Sequence, residues 1–159
     1  MQALNKYIAT LLLLLISLSA YACFGPKLYI GTAAGEEGEM LFHLVAIYLK
    51  EKTGVESLRV ELTDEQTAET LLEQEKIDFG FSSSSSAKWP QLFSFDQQLY
   101  LLHGPRPVED LQFTTVPKAL KRLQKRLQAD DLKLLRQQVA SGLLPAKAVR
   151  ALYMQRGWI

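Results

Sequence analysis

Five consecutive serines, Ser82 to Ser86, are the densest run of hydrogen-bonding side chains in this sequence. At the end of a strand, their hydroxyls and backbone N–H groups would hold an anion or a carboxylate. The same composition also suits a flexible connector. Thr32 and Glu36 form a second polar group, in a Gly-flanked segment. Trp89, beside Phe93, offers either a face for a cation or an ordinary packing surface. His43 and His103 each lack a second ligand at metal spacing, so no metal site and no cofactor are expected. The loop Gly31-Thr32-Ala33-Ala34-Gly35 lacks the Gly-Lys-Ser/Thr ending of a phosphate loop, and Glu36-Glu37 would repel phosphate. It also lacks the dinucleotide fingerprint, and the chain has no Gly-x-Ser-x-Gly elbow. With no nucleophile–base pair, an enzyme is not expected.

Positioning these residues falls to an alternation of strands and helices between Lys27 and Phe81. Lys27 to Ile30 and Leu58 to Leu62 read as strands, as does Ile77 to Phe81. The helix ending at Thr53 carries an apolar stripe, Met40, Leu41, Leu44, Val45, Ile47 and Tyr48. Glu36, Glu37 and Glu39 at its start and Lys50 and Lys52 at its end suit the helix dipole, and Gly54 suits a left-handed stop. A second helix is expected from Asp64 to Glu75, opened by Thr63-Asp64-Glu65-Gln66 at capping-box spacing. This is a βαβαβ unit with parallel strands, an α/β fold. Ligands of such sheets bind outside the carboxyl ends of the strands. That brings forward Gly31–Glu37, Leu62–Glu65 and Ser82–Ser86, with Thr32, Glu36, Ser82, Ser83 and Ser84 as expected ligand contacts and Trp89 as a neighbouring aromatic.

Beyond the third strand, residues 82–96 read as a linker or loop interrupted by Pro90, and 97–103 as a further strand ended by Gly104-Pro105. Residues 115–157 are helical. Val116, Leu120, Leu123 and Leu127 form one face, opposite Lys118, Lys121, Arg122, Lys125 and Arg126. The last helix, near Pro145 to Gln155, stops at Gly157. A basic amphipathic helix suits a membrane surface, or simply water.

The 159 residues leave room for one domain, and a 48% apolar composition is that of a folded chain. A net charge of +1 argues against general nucleic-acid binding. The charges are unevenly spread, with 12 acidic against 5 basic residues from Cys23 to Gly80 and 5 against 12 from there to Ile159. The two halves could dock on each other, or the basic half could face an anionic membrane. Residues 1–22 read as a secretory signal peptide, from Lys6, the apolar run Ile8–Leu18 and Ala20-Tyr21-Ala22. An uncleaved anchor is the competing reading. A single domain over 23–159, exported to the periplasm or attached to a bacterial envelope, is therefore expected. Cys23 follows the cleavage site and is a possible lipidation position, although Ala20-Tyr21-Ala22 is a poor lipobox. As the only cysteine, it allows no intramolecular disulfide.

Several stretches together resemble a known family. They are Leu28-Tyr29-Ile30-Gly31, the Glu-rich start of the first helix, Tyr48-Leu49-Lys50-Glu51-Lys52-Thr53-Gly54, and Leu71-Leu72 leading into Lys76-Ile77-Asp78-Phe79. The end, Val139-Ala140-Ser141-Gly142 through Ala148 to Tyr153 and Gly157, adds to them. In these the chain resembles the first lobe of periplasmic substrate-binding proteins, most closely the glycine betaine/choline (OpuAC-type) group of ABC transporters. The resemblance implies one lobe of a type II periplasmic-binding-protein-like fold with C-terminal helices, since no second βαβ set follows Ser82–Ser86. It implies a small polar or zwitterionic solute taken up or sensed, and a permease or second binding subunit as partner. Of that group's aromatic cage, only Trp89, and less readily Tyr29, has a counterpart here.

Two functions follow as expectations. In one, an exported solute-binding-like protein recognises its solute at the strand ends. In the other, an envelope interaction or scaffold protein keeps the fold without the ligand. It touches an anionic membrane or acidic partner through Lys118, Lys121, Arg122 and Lys125.

Overall fold

The structure, a computed structural model, describes residues 25–63, 65–95 and 98–159, with Phe95 as backbone only. The expected signal peptide, Cys23 and the Asp64 position of the expected capping box lie outside the described residues.

Strands β1 (Leu28–Ala33), β2 (Ser57–Leu62) and β3 (Phe79–Ser82) run parallel in the order β2-β1-β3. Helix α1 (Gly35–Thr53) links the first two, and α2 (Ala68–Glu73) the second to the third. β1 runs three residues past Ile30, through Gly31, Thr32 and Ala33, which the sequence placed in a loop. Gly31 pairs with Gly80 of β3 across the ladder. A Cβ on Gly31 would come within 2.7 Å of Ile77, and one on Gly80 within 2.6 Å of Ala68. These glycines make room for Ile77 and, at Gly80, for α2 against the sheet rather than marking a loop.

α2 is shorter than expected. Its N-cap is Thr67, whose Oγ1 accepts from the Thr70 N–H at 3.2 Å. Upstream, Gln66 N–H donates to the Thr63 carbonyl at 2.9 Å, so the expected cap closes a separate turn. A hydroxyl residue three before an amide fits a turn as well as a helix start, and here Thr63 closes the turn while Thr67, bonded to Thr70, starts the helix.

Residues 91–95, expected as part of a linker, form strand β4 (Gln91–Phe95), which pairs antiparallel with β5 (Leu99–His103). β5 in turn pairs antiparallel with β3, giving a mixed five-stranded sheet, β2-β1-β3-β5-β4. Pro90 precedes the strand instead of interrupting it. A register shift between Gln91 and Phe93 lets the adjacent Leu92 and Phe93 both enter the core, and this hid the alternation of a strand.

A single turn, α3 (Arg106–Glu109), and a 3-10 turn, Leu111–Phe113, lead into α4 (Val116–Arg126), α5 (Ala129–Ala140) and α6 (Pro145–Gln155). The main core lies on one face of the sheet. Leu28, Ile30, Phe79, Phe81 and Leu101 meet the apolar sides of α1, α4, α5 and α6 there. Tyr153 is central: its hydroxyl donates to the Leu44 carbonyl, and its ring sits 5.8 Å from Tyr48 and 5.5 Å from Trp158. Burial, with a smaller contribution from Tyr48, pushes the Tyr153 hydroxyl well above the usual tyrosine range. The other face has a smaller cluster, Leu71, Leu72, Ile77 and Leu102.

The acidic and basic halves do dock on each other in places. Arg136 reaches Glu37 at 2.9 Å and Arg150 reaches Glu51 at 3.1 Å, tying α5 and α6 to α1. Both pairs are exposed, each worth about 0.2–1 kcal/mol, so they set register on a core that is apolar.

Four helices end in the left-handed conformation, and three use glycine: Gly54, Gly142 and Gly157, at φ 75°, 93° and 65°. The fourth, after α2, uses Glu75 at φ 54°. Glu75 N–H donates to the Leu72 carbonyl at 3.1 Å and Lys76 N–H to the Leu71 carbonyl at 2.9 Å, the same double closure that Gly142 and Gly157 provide. A side chain here costs about 1 kcal/mol or more that glycine would avoid.

Candidate functional site

Of the residues expected at the carboxyl ends of the strands, Thr32 and Ser82 are already engaged by other side chains. Thr32 is fully buried, and its Oγ1 accepts from Arg59 Nε at 2.8 Å. The Arg59 guanidinium also donates to the Ala33 carbonyl at 2.8 Å, closing the end of β1. Ser82 Oγ donates to Glu69 at 3.1 Å and accepts from the Ser84 N–H at 3.2 Å. Ser83 and Ser84 are exposed. Glu36 is exposed at the start of α1, in a shallow hollow where the neighbouring Glu37 holds Arg136. A solute that used Thr32 or Ser82 would have to displace the Arg59–Thr32 and Glu69–Ser82 bonds. The serine run is a set of local turns: Ser86 Oγ accepts from the Lys88 and Trp89 N–H groups at 3.3 and 3.1 Å.

Trp89 belongs elsewhere. It is half-buried against the Leu71, Leu72, Ile77 and Leu102 cluster, with Lys88 Nζ 5.5 Å from its ring centre. It also lines a chamber of about 350 Å³ with Pro90, His103, Gly104 and Val108. That chamber adjoins a larger cleft of about 640 Å³ lined by Tyr29, Ile77, Asp78 and Arg106. Leu72, Glu75, Gly104, Pro105 and Glu109 line both. The double cleft lies at the amino ends of β1 and β3, the edge opposite the expected one. β5 runs antiparallel to them, so its C-terminal residues His103 and Gly104 arrive at this edge.

Local structure builds the walls. The Asp78 carboxylate is buried, accepts from the Tyr29 N–H at 2.7 Å, and takes Arg106 Nη1 at 3.0 and 2.8 Å. Arg106 Nη2 donates to the Lys27 carbonyl at 3.0 Å, and its guanidinium lies 5.0 Å from the Phe113 ring centre. One ion pair thus fastens α3 to the starts of β1 and β3. With both charges paired, it is a strut that leaves the Arg106 edge, 42% exposed, facing the cleft. His103 is buried and its Nδ1 lies 2.7 Å from the Gly104 carbonyl. A carbonyl only accepts, so Nδ1 carries a proton and donates to it.

The chemistry of the cleft is amphipathic. Tyr29, Leu72, Ile77, Trp89 and Val108 supply apolar and aromatic surface. Glu75 and Glu109, at the junction, supply negative charge, and Lys76 and Arg106 supply positive charge in the larger chamber. Carboxylate, cationic and ring surfaces in one cleft are chemically suited to a small organic ion. Among the described residues, no three His, Cys, Asp or Glu side chains gather as a metal site.

The cleft residues the sequence reading missed are Glu75, Asp78, Arg106 and Glu109, with Tyr29 considered only as a secondary aromatic. A glutamate where a helix normally ends in glycine, and an aspartate inside an apolar strand, were their signals. Compared with protein-family models, with curated proteins and with solved structures, the chain matches none.

Proposed function

We propose that this chain is an exported solute-binding-like protein that recognises a small cationic or zwitterionic organic solute in the double cleft at the amino edge of its sheet. The observation that carries the reading is that Glu75 and Glu109 line the junction of two chambers, one bearing Tyr29 and the other Trp89. An ammonium group at the junction meets carboxylates and aromatic surface together. A carboxylate on the same solute would reach Lys76 and the exposed edge of Arg106. The combined space suits a compact solute rather than a polymer. The parallel order β2-β1-β3 with α1 between β1 and β2 is in keeping with one lobe of a periplasmic-binding-protein-like fold. The expected leader at residues 1–22 supports export, with uptake or sensing through a partner permease.

The test is a thermal-shift screen against betaine, choline, amino acids, polyamines and simple anions. A solute at about a hundred times its dissociation constant stabilises by about 2.7 kcal/mol. The response should disappear in the Glu75→Gln/Glu109→Gln double variant and persist in a Ser82→Ala/Ser83→Ala/Ser84→Ala variant. A response lost with the serines and kept without the two glutamates would return the site to the carboxyl edge. A melt that no solute moves would favour the second reading, an envelope interaction protein.

A further inference from the structure

The exposed face of α4 is the other feature with unspent charge. Lys118, Lys121, Arg122 and Lys125 fall at one-face helical spacing, Arg126 extends the stripe, and all five are exposed. α4 contains no acidic residue. Among the described residues, Arg59, Arg106, Arg136, Arg150 and Arg156 each pair with a carboxylate within 4 Å, and the two arginines that do not, Arg122 and Arg126, are both in α4. Among the described residues, every arginine outside this helix has a carboxylate partner.

Two further observations say what covers the face. Lys52, Lys118 and Arg122, with Thr53 and Thr115, surround a hollow of about 190 Å³ between the end of α1 and the start of α4. The Thr53 hydroxyl is engaged by the Leu49 carbonyl and the Val55 N–H, so three cations and the Thr115 hydroxyl remain around a space of that size, and they suit a phosphodiester. The chain also enters the fold here: Gly25 and Pro26 line a neighbouring hollow that shares Thr53. In sequence, six residues separate the apolar run Ile8–Leu18 from Gly25. We propose that α4 docks on an anionic lipid bilayer, with a phosphodiester headgroup seated between Lys52, Lys118 and Arg122. The basic stripe then acts together with the N-terminal apolar segment or an acyl group on Cys23. One weak hydrophobic anchor plus a basic patch is the combination that holds a protein at a membrane surface.

The experiment is flotation of the full chain with phosphatidylcholine vesicles and with vesicles containing phosphatidylglycerol. The readout is the ratio of the two partition constants, which cancels the contribution of the apolar segment. The ratio should exceed one, fall with added salt, and drop on the order of a hundred-fold in Lys121→Gln/Arg122→Gln/Lys125→Gln, at roughly fivefold per cation. Glutamine keeps the helix propensity, and an unchanged melting temperature will show that the variant is folded. Lys133→Gln/Lys147→Gln, which changes cations on other helices, should leave the ratio unchanged. A ratio near one, or one that survives the α4 changes, would overturn the proposal. So would displacement from vesicles by inorganic phosphate at constant ionic strength, which would make the hollow a soluble-anion site. Equal binding to an oligonucleotide through the same residues would also overturn it.

Discussion

Replacing Glu75 by glycine should make the protein more stable and less able to bind. Glu75 occupies, at φ 54°, the closing position of a helix-end motif that Gly142 and Gly157 occupy elsewhere in the same chain. Left-handed backbone costs a residue with a Cβ about 1–2 kcal/mol. Glycine removes that cost but loses about 0.5–1 kcal/mol to the greater freedom of the unfolded chain. The net gain is about 0.5–1 kcal/mol, or about 2 °C in melting temperature for a domain of this size. Urea unfolding is the assay, with the midpoint rising and the slope unchanged. Glu75→Ala separates the two roles of the residue, because it keeps the backbone cost and removes the carboxylate. It should leave stability near that of the parent and weaken solute binding as much as Glu75→Gly does. Gly142→Ala, at the corresponding position after α5, should lose about 1 kcal/mol. If Glu75→Gly proved no more stable than Glu75→Ala, the helix end would not be strained. The argument that a carboxylate is held at the cleft at a cost in stability would then fail.

Other perturbations test the packing and the charges. Gly80→Val should destabilise by about 1–3 kcal/mol in chemical denaturation, because its Cβ meets Ala68 at 2.6 Å and pushes α2 off the sheet. Asp131→Ala should lose about 2 kcal/mol in the same assay. The buried Asp131 carboxylate accepts from the Gln128 N–H at 3.1 Å to cap α5 and from Arg156 at 2.6 Å. His43 should give an acid-side loss of stability. Burial lowers its pKa below the ordinary 6.5, and the Glu39 carboxylate at 3.5 Å only partly offsets this. The folded state therefore binds fewer protons than the unfolded one, and the contribution is complete above 6.5 and lost as pH falls through the folded pKa. Melting temperatures followed downward from neutral pH should fall more for the parent than for His43→Gln.

Much of the architecture could be read along the chain because it rests on neighbouring residues. The apolar stripes of α1 and α4, the glycine after Thr53 and the stop at Gly157 each act within a turn or two. The strand–helix alternation from Lys27 to Phe81 implies parallel pairing, since only a crossover connects such strands. Tertiary structure decided what depends on distant partners. β4 is a strand because β5 pairs with it across a bulge, and Gly31 lies in β1 because Val60 of β2 and Gly80 of β3 pair with it on either side. Thr32 and Ser82 looked available as ligand contacts, but Arg59 and Glu69, reached only through folding, engage them. The cleft joins residues from the starts of β1 and β3, the end of β5 and α3, an assembly set by antiparallel pairing of β5 with β3. Hydrogen-bond capacity is a property of residue type and is visible in the sequence. Whether that capacity is already satisfied depends on which side chains the fold brings within about 3 Å.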